Sequence, residues 1–240
     1  MPSRVVEGSL HMRLSALACA AMIVASTATA AVASASPPKC AELSGVLDAD
    51  QTCRIQATDP AYSLDLAYPV DYPEQQAVFD YVKQTRDGFL NVAKAPGMHL
   101  TPYELDTTAR EFSSAVPPRG TRSLVLKTFQ DVGGARPQTF YRSFSWDEGY
   151  RKPITIDTLF REGAAPFPVL LPIVAAELQK QSGQPVSIPP SVGLDPQKYQ
   201  NFAILDDSLI FFFGQGEMLP ESAGAVEVTV PRGPIDAMIA

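Results

Sequence analysis

Histidine and cysteine are scarce in this sequence. Two His (His11, His99) and three Cys (Cys19, Cys40, Cys53) are spread over 240 residues, which leaves little material for a zinc site. No C-x-x-C pair and no G-x-S-x-G elbow is present, so redox-motif and α/β-hydrolase signatures are missing. Basic residues are also in deficit: 19 Lys and Arg against 26 Asp and Glu give a net charge of −7 and a pI near 4.9. Such a chain has no electrostatic reason to bind nucleic acid or an anionic membrane surface. What remains is 45% hydrophobic and 19% charged, a globular composition. The 22 Pro and 15 Gly make turns frequent.

The first 35 residues read as a signal peptide. Arg13 precedes an Ala-rich apolar run from Leu14 to Val32, and Ala33-Ser34-Ala35 supplies a small-x-small cleavage site. Met12 is a candidate true start. A permanent membrane anchor is the alternative, but Ser15, Ser26, Thr27 and Thr29 make the run a poor span. Cys19 lies too close to Arg13 for a lipoprotein site. The longest later apolar run, Leu209 to Phe213, is strand-sized, so no transmembrane segment is expected after cleavage. Cleavage leaves residues 36–240, with 17 basic and 25 acidic residues, net −8. His99 is then the only imidazole.

Two cysteines in an exported chain point to a disulfide. Cys40–Cys53 closes a loop of about 14 residues, for which the chain-entropy estimate is about 3 kcal/mol.

Periodicity outlines an α+β fold: antiparallel sheet(s) with two main helices in a single domain, residues 36–240. Tyr62 to Tyr68 alternates as a half-buried strand. Asp71-Tyr72-Pro73-Glu74 reads as a helix start with Asp71 as cap. Val78, Val82, Phe89 and Val92 form the apolar stripe that follows. Tyr103–Phe112, Ser123–Phe129 and Thr139–Trp146 suggest an antiparallel meander. A second helix starts at Pro168 or Leu171 and stops at Gly183, with Leu170, Val174, Leu178 and Gln181 on one face. Phe202–Leu205 and Leu209–Phe213 read as a hairpin, and Val226–Val230 as a strand. Phe211-Phe212-Phe213 fits a central strand covered on both faces.

Many short segments then fall in one order: Cys40…Cys53, Ser63-Leu64-Asp65-Leu66 through Tyr72-Pro73, and Pro117-Pro118-Arg119-Gly120-Thr121. They continue with Tyr150-Arg151-Lys152-Pro153-Ile154-Thr155, Gly193-Leu194-Asp195-Pro196, Tyr199-Gln200-Asn201-Phe202-Ala203, and Phe211-Phe212-Phe213 through Val230-Pro231-Arg232. Together they resemble the secreted immunogenic antigens of mycobacteria and the wider family of anti-sigma-factor-type extracellular domains. The resemblance implies an exported α+β protein, cell-wall-associated or released, in a family mostly without an assigned reaction. Some mycobacterial relatives are described as exported esterases. The wider family often carries His after Gly-Gly-x, whereas this chain reads Gly133-Gly134-Ala135-Arg136-Pro137.

A Ser-His-Asp triad would have to use His99, and no spacing singles out its Ser. Ser145 and Ser208 read as surface or turn residues. Asp147-Glu148 and Asp206-Asp207 are acidic pairs, but adjacency does not place two carboxylates across a cleft. Among the aromatics, Phe140, Phe144 and Trp146 share parity and read as core, which leaves Tyr141 and Tyr150 as exposed binding candidates. Arg119 and Arg151 are the basic candidates beside them. The reading is a monomeric, secreted binding or interaction protein with no cofactor and no metal. Its partner is a host or cell-wall protein, and the negative charge favours a basic one such as lysozyme. An exported carboxylesterase for short acyl esters is the alternative.

Overall fold

The computed structural model describes residues 38–96, 101–115, 120–133 and 136–240. The expected signal peptide (1–35), His99 and Arg119 lie outside the described residues. Helix α1 (Pro38–Glu42) leads into a sheet of seven strands: β1 (Val46–Leu47), β2 (Thr52–Asp59), β3 (Tyr62–Pro69), β4 (Tyr103–Ser114), β5 (Thr121–Asp131), β6 (Gln138–Asp147) and β7 (Lys152–Ile154). They lie side by side in chain order. Every pair is antiparallel except β3–β4, which is parallel because helix α2 (Gln75–Ala93) crosses between them. The meander read from the sequence is β4–β5–β6, with longer strands than expected. Strand β2 is new: of its eight residues only Cys53 and Ile55 are buried, too weak an alternation to read.

Helix α2 packs on one face of this sheet. Val78, Val82 and Phe89 are buried as expected, against Leu64, Leu66, Leu105, Leu124 and Leu126. Val92 is 48% exposed and Ala93 takes the last buried position, because the helix ends there and its stripe has drifted round. The expected Asp71 cap does not form, and the helix begins at Gln75 with no side-chain cap. Tyr72 explains this: its buried hydroxyl donates to the Phe144 carbonyl (2.6 Å), with the Arg122 carbonyl at 3.0 Å. That anchor draws the segment toward the sheet and delays the first turn. At the other end of the core the Cys40–Cys53 disulfide ties α1 to β2. Gly45 lies over it, where a Cβ would come within 2.6 Å of the Cys53 sulfur.

After α3 (Ile156–Leu159) and α4 (Phe167–Ser182), a second sheet forms in the order β10-β9-β8 from β8 (Phe202–Ile204), β9 (Ser208–Phe213) and β10 (Val226–Pro231). Leu170, Val174 and Leu178 of α4 are buried, and Gly183 ends the helix at φ 67°. Pro172 sits inside α4, a position that removes one backbone bond. The triple Phe occupies the central strand. Phe211 and Phe213 face the α4 core, where their rings lie 5.2 and 5.7 Å from that of Tyr199. Phe212 faces the large sheet, where it meets Val125 and Tyr141. The fold is therefore α+β, with α2 and α4 as its two main helices, and the described residues form one compact unit.

The two sheets are joined by hydroxyls. One edge of β8 pairs with β9, and the other faces β5 and β6. Its outward groups are met in turn. The Ile204 N–H donates to Ser123 Oγ (3.2 Å), and Ser123 lies 3.0 Å from Ser145 Oγ, which donates to the Phe202 carbonyl (3.3 Å). The Phe202 N–H donates to Ser143 Oγ (3.0 Å). Ser145 is thus buried in this junction, contrary to the surface position read from the sequence. Asp206 closes the row by accepting from Ser114 Oγ (3.0 Å) and the Ala115 N–H (2.7 Å). Replacing Ser123 by Ala leaves the buried Ile204 N–H without an acceptor and breaks the chain. The expected cost is about 1–3 kcal/mol, read from urea unfolding. Ser113→Ala, on an exposed position of β4, should stay within about 0.5 kcal/mol.

Candidate functional site

The turn between β6 and β7 carries the most exposed aromatic side chain among the described residues. Asp147 ends β6 and is 1% exposed. Its Oδ1 accepts the Tyr150 N–H (2.8 Å), so Asp147 folds the turn over its own carboxylate. Arg151 follows at φ 53°, the left-handed region. The strand register then sets Lys152 opposite Asp147 and Pro153 opposite Trp146. Tyr150 is left 63% exposed, with Lys152 Nζ 5.3 Å from its ring centre.

Beneath this turn lies a cavity of about 90 Å³. Its apolar wall is Ile154, Leu159, Ile204 and Ile239, and its polar groups include Asp147 and Thr158. Leu159 is placed by α3, whose first turn is closed by Thr155 and Thr158: the Thr155 N–H donates to Thr158 Oγ1 (2.9 Å). That bond and a return to the Thr155 carbonyl (3.2 Å) occupy the Thr158 hydroxyl. Ile239 is held by an isolated bridge to Phe160 and by Arg161 Nε, which donates to its carbonyl (2.9 Å). Ile204 is the residue whose N–H starts the Ser123–Ser145 chain, so the sheet junction also sets the cavity wall.

Of the expected binding residues, the structure joins Tyr150 and Arg151 at this turn. Tyr141 is not with them. It is 7% exposed, packed between the sheets with its ring 5.3 Å from that of Phe212. About 20 Å of strand separates it from Asp147. Alternation assigned Tyr141 to the face opposite Phe144 correctly, but the second sheet covers that face. Burial pushes its hydroxyl up to about 12, with Glu227 adding to the shift. Asp147 and Glu148 differ in surroundings, one buried and one exposed, and form no pair across a cleft. Asp206 is bound to Ser114 and Ala115, and Asp207 accepts from Ser208 Oγ (2.9 Å).

A second feature is electrostatic. The sheet register sets Asp65 beside Asp106 and Glu104 beside Asp131 on one face. A shallow groove of about 320 Å³ runs over Asp65, Glu104 and Asp106. Burial raises the Asp106 carboxyl above the usual range, and the neighbouring Asp65 adds to it. No group of three or more His, Cys, Asp or Glu is placed to hold a metal among the described residues.

A family model described as "Protein of unknown function (DUF3298)" matches residues 157–233, from α3 through β10. The immunogenic proteins MPB64 of Mycobacterium bovis and MPT64 of Mycobacterium tuberculosis are each 51% identical to this chain over 210 residues. The match covers 87% of this chain and 92% of theirs. The chain belongs to the family of these mycobacterial immunogenic proteins. Esterase Rv3036c of Mycobacterium tuberculosis is 49% identical over 219 residues, 91% of this chain and 96% of its own. A crystal structure of a DUF3298 family protein from Pseudomonas aeruginosa has a TM-score of 0.52 at 11% identity, covering 81% of this chain and 96% of its own. That likeness concerns the fold alone.

Within this family member, Tyr68, Tyr141 and Tyr199 all have hydroxyls raised to about 12, with burial the largest cause in each. A raised tyrosine contributes stability that is fully present below its unfolded value near 10 and is lost as pH rises through the folded value. Stability should therefore fall between about pH 10 and 12. In a spectrophotometric titration, Tyr141→Phe should remove one late-ionising hydroxyl, whereas an early loss would place Tyr141 in solvent.

Proposed function

We propose that this protein is exported, with residues 1–35 as its signal peptide, and acts at the cell envelope or beyond it by binding a basic protein. The observation that carries the reading is the β6–β7 turn: Tyr150 is held out by Asp147, flanked by Arg151, above an apolar-walled cavity. An exposed aromatic on a fixed turn beside an apolar recess is the anatomy of a binding anchor. The carboxylates of β3, β4 and β5 supply the field that attracts a basic partner. The host or cell-wall protein bound in this way is of the lysozyme kind in charge. The protein works as a monomer and needs no cofactor.

Calorimetry with lysozyme as the basic probe, at low and high salt, tests this. Binding should weaken steeply with salt, and Tyr150→Ala should lower affinity by about 30-fold, the loss typical of an aromatic anchor. Binding that ignores salt, or none at all, overturns the reading.

One observation favours a second reading, an exported carboxylesterase: the 49% identical relative bears the name esterase. His99 would then be its base. Hydrolysis of short-chain nitrophenyl esters, lost in His99→Ala with the fold intact by circular dichroism, would support it. Activity unchanged by that substitution would remove His99 from the chemistry.

A further inference from the structure

The binding reading leaves open what the cavity itself receives. Asp147 is 1% exposed, and its carboxylate accepts the Tyr150 N–H but has no salt-bridge partner among the described residues. A buried carboxylate in such a place is costly until a cation meets it. Lys152, directly across the register, does not meet it. Its side chain lies at the rim, with Nζ over the Tyr150 ring. On the neighbouring strand, Thr121 stands opposite Asp147, and its buried Oγ1 has no hydrogen-bond partner. Thr121 Oγ1 is thus an unpaired polar atom on the strand beside Asp147, while Ile154, Leu159, Ile204 and Ile239 supply the aliphatic part of the cavity lining.

From this geometry we infer that the cavity behind Tyr150 is a receptor for a primary alkylammonium group, with Asp147 as its counter-ion. Aliphatic walls suit an unbranched carbon stem. About 90 Å³ is smaller than the ~150 Å³ of an apolar cavity that takes a benzene ring, so it suits a narrow chain rather than a ring system. The chemistry is that of a lysine side chain presented by a partner or of a free aliphatic amine. The inference rests on the binding reading and gives it a ligand class.

The test is amide NMR on the purified protein, with n-butylammonium chloride as probe and n-pentanol as its neutral counterpart. Butylammonium should shift the Tyr150 and Thr158 amides saturably, at least tenfold more tightly than the alcohol. Asp147→Asn keeps an oxygen for the Tyr150 N–H and should lower amine affinity at least tenfold with an unchanged melting temperature. Lys152→Met, by removing the rim charge, should raise it a few-fold. If Asp147→Asn fails to fold, Ile154→Phe narrows the same cavity from its half-buried wall and should block the amine. Equal binding of amine and alcohol overturns the inference, as does amine binding indifferent to both Asp147→Asn and Ile154→Phe. A lysine-containing tripeptide binding more tightly than butylammonium assigns the group to a protein partner, and the reverse order assigns it to a free amine. A basic protein bound equally by wild type and Asp147→Asn overturns this inference and leaves the function reading standing. Amine binding without any basic protein partner does the opposite.

Discussion

Strand β8 has only one neighbour in its own sheet, and the row of serine hydroxyls along its other edge is what the rest of the architecture depends on. An unpaired strand edge buried against a second sheet would leave N–H and C=O groups without partners, each at a cost of about 1–3 kcal/mol. Ser123, Ser143 and Ser145 meet those groups from β5 and β6. The directions follow from the acceptors: Ser145 must donate to the Phe202 carbonyl, so Ser123 donates to Ser145 and is free to accept from the Ile204 N–H. Such a chain is polarised along its length, which strengthens each bond. It also fixes distance. Side chains the size of serine let β8 approach closely, and the same approach lets Phe212 reach Val125 and Tyr141.

That dependence explains which parts of the fold were legible in the sequence. Strand parity was readable, because alternation reports which residues share a face. Leu124 with Leu126, and Phe144 opposite Tyr141, fell on the correct sides. Parity does not say what covers each side. Serines on the face of Val125 and Tyr141 look like solvent positions until β8 is placed against them, and β8 lies about 60 residues further along. Hence Tyr141 read as exposed and Ser145 as surface. The triple Phe was read correctly because no strand can hide three successive rings on one side. The start of α2 was misread because the local cap signal at Asp71 loses to Tyr72, whose hydroxyl finds its acceptor 72 residues away.

The candidate site was legible only at its rim. Tyr150 and Arg151 stood out by type, but the cavity beneath them draws on β6, β7, α3, β8 and the C-terminal bridge, and no short motif spans those elements. Asp147 read as half of an acidic pair. Its role as the buried acceptor that shapes the turn becomes visible only when Tyr150 is seen three residues later with its N–H aimed back. An Asp at a strand end, followed at that spacing by an exposed aromatic, is the signal the sequence did contain.

The same hydroxyls bear on chemistry. A serine nucleophile needs a base within hydrogen-bond reach and an oxygen free to attack. Ser114 donates to Asp206, Ser208 donates to Asp207, and Ser123, Ser143 and Ser145 are bound within the sheet junction. Removing the three junction serines to free one for attack would loosen the contact that holds Ile204 in the cavity wall. For these five serines the observed bonds serve the architecture. In the β6–β7 turn the Asp147 carboxylate accepts the Tyr150 backbone N–H and holds Tyr150 outward, above the aliphatic part of the recess. An exposed aromatic on a fixed turn beside an apolar recess is the feature of this fold on which the proposed binding role rests.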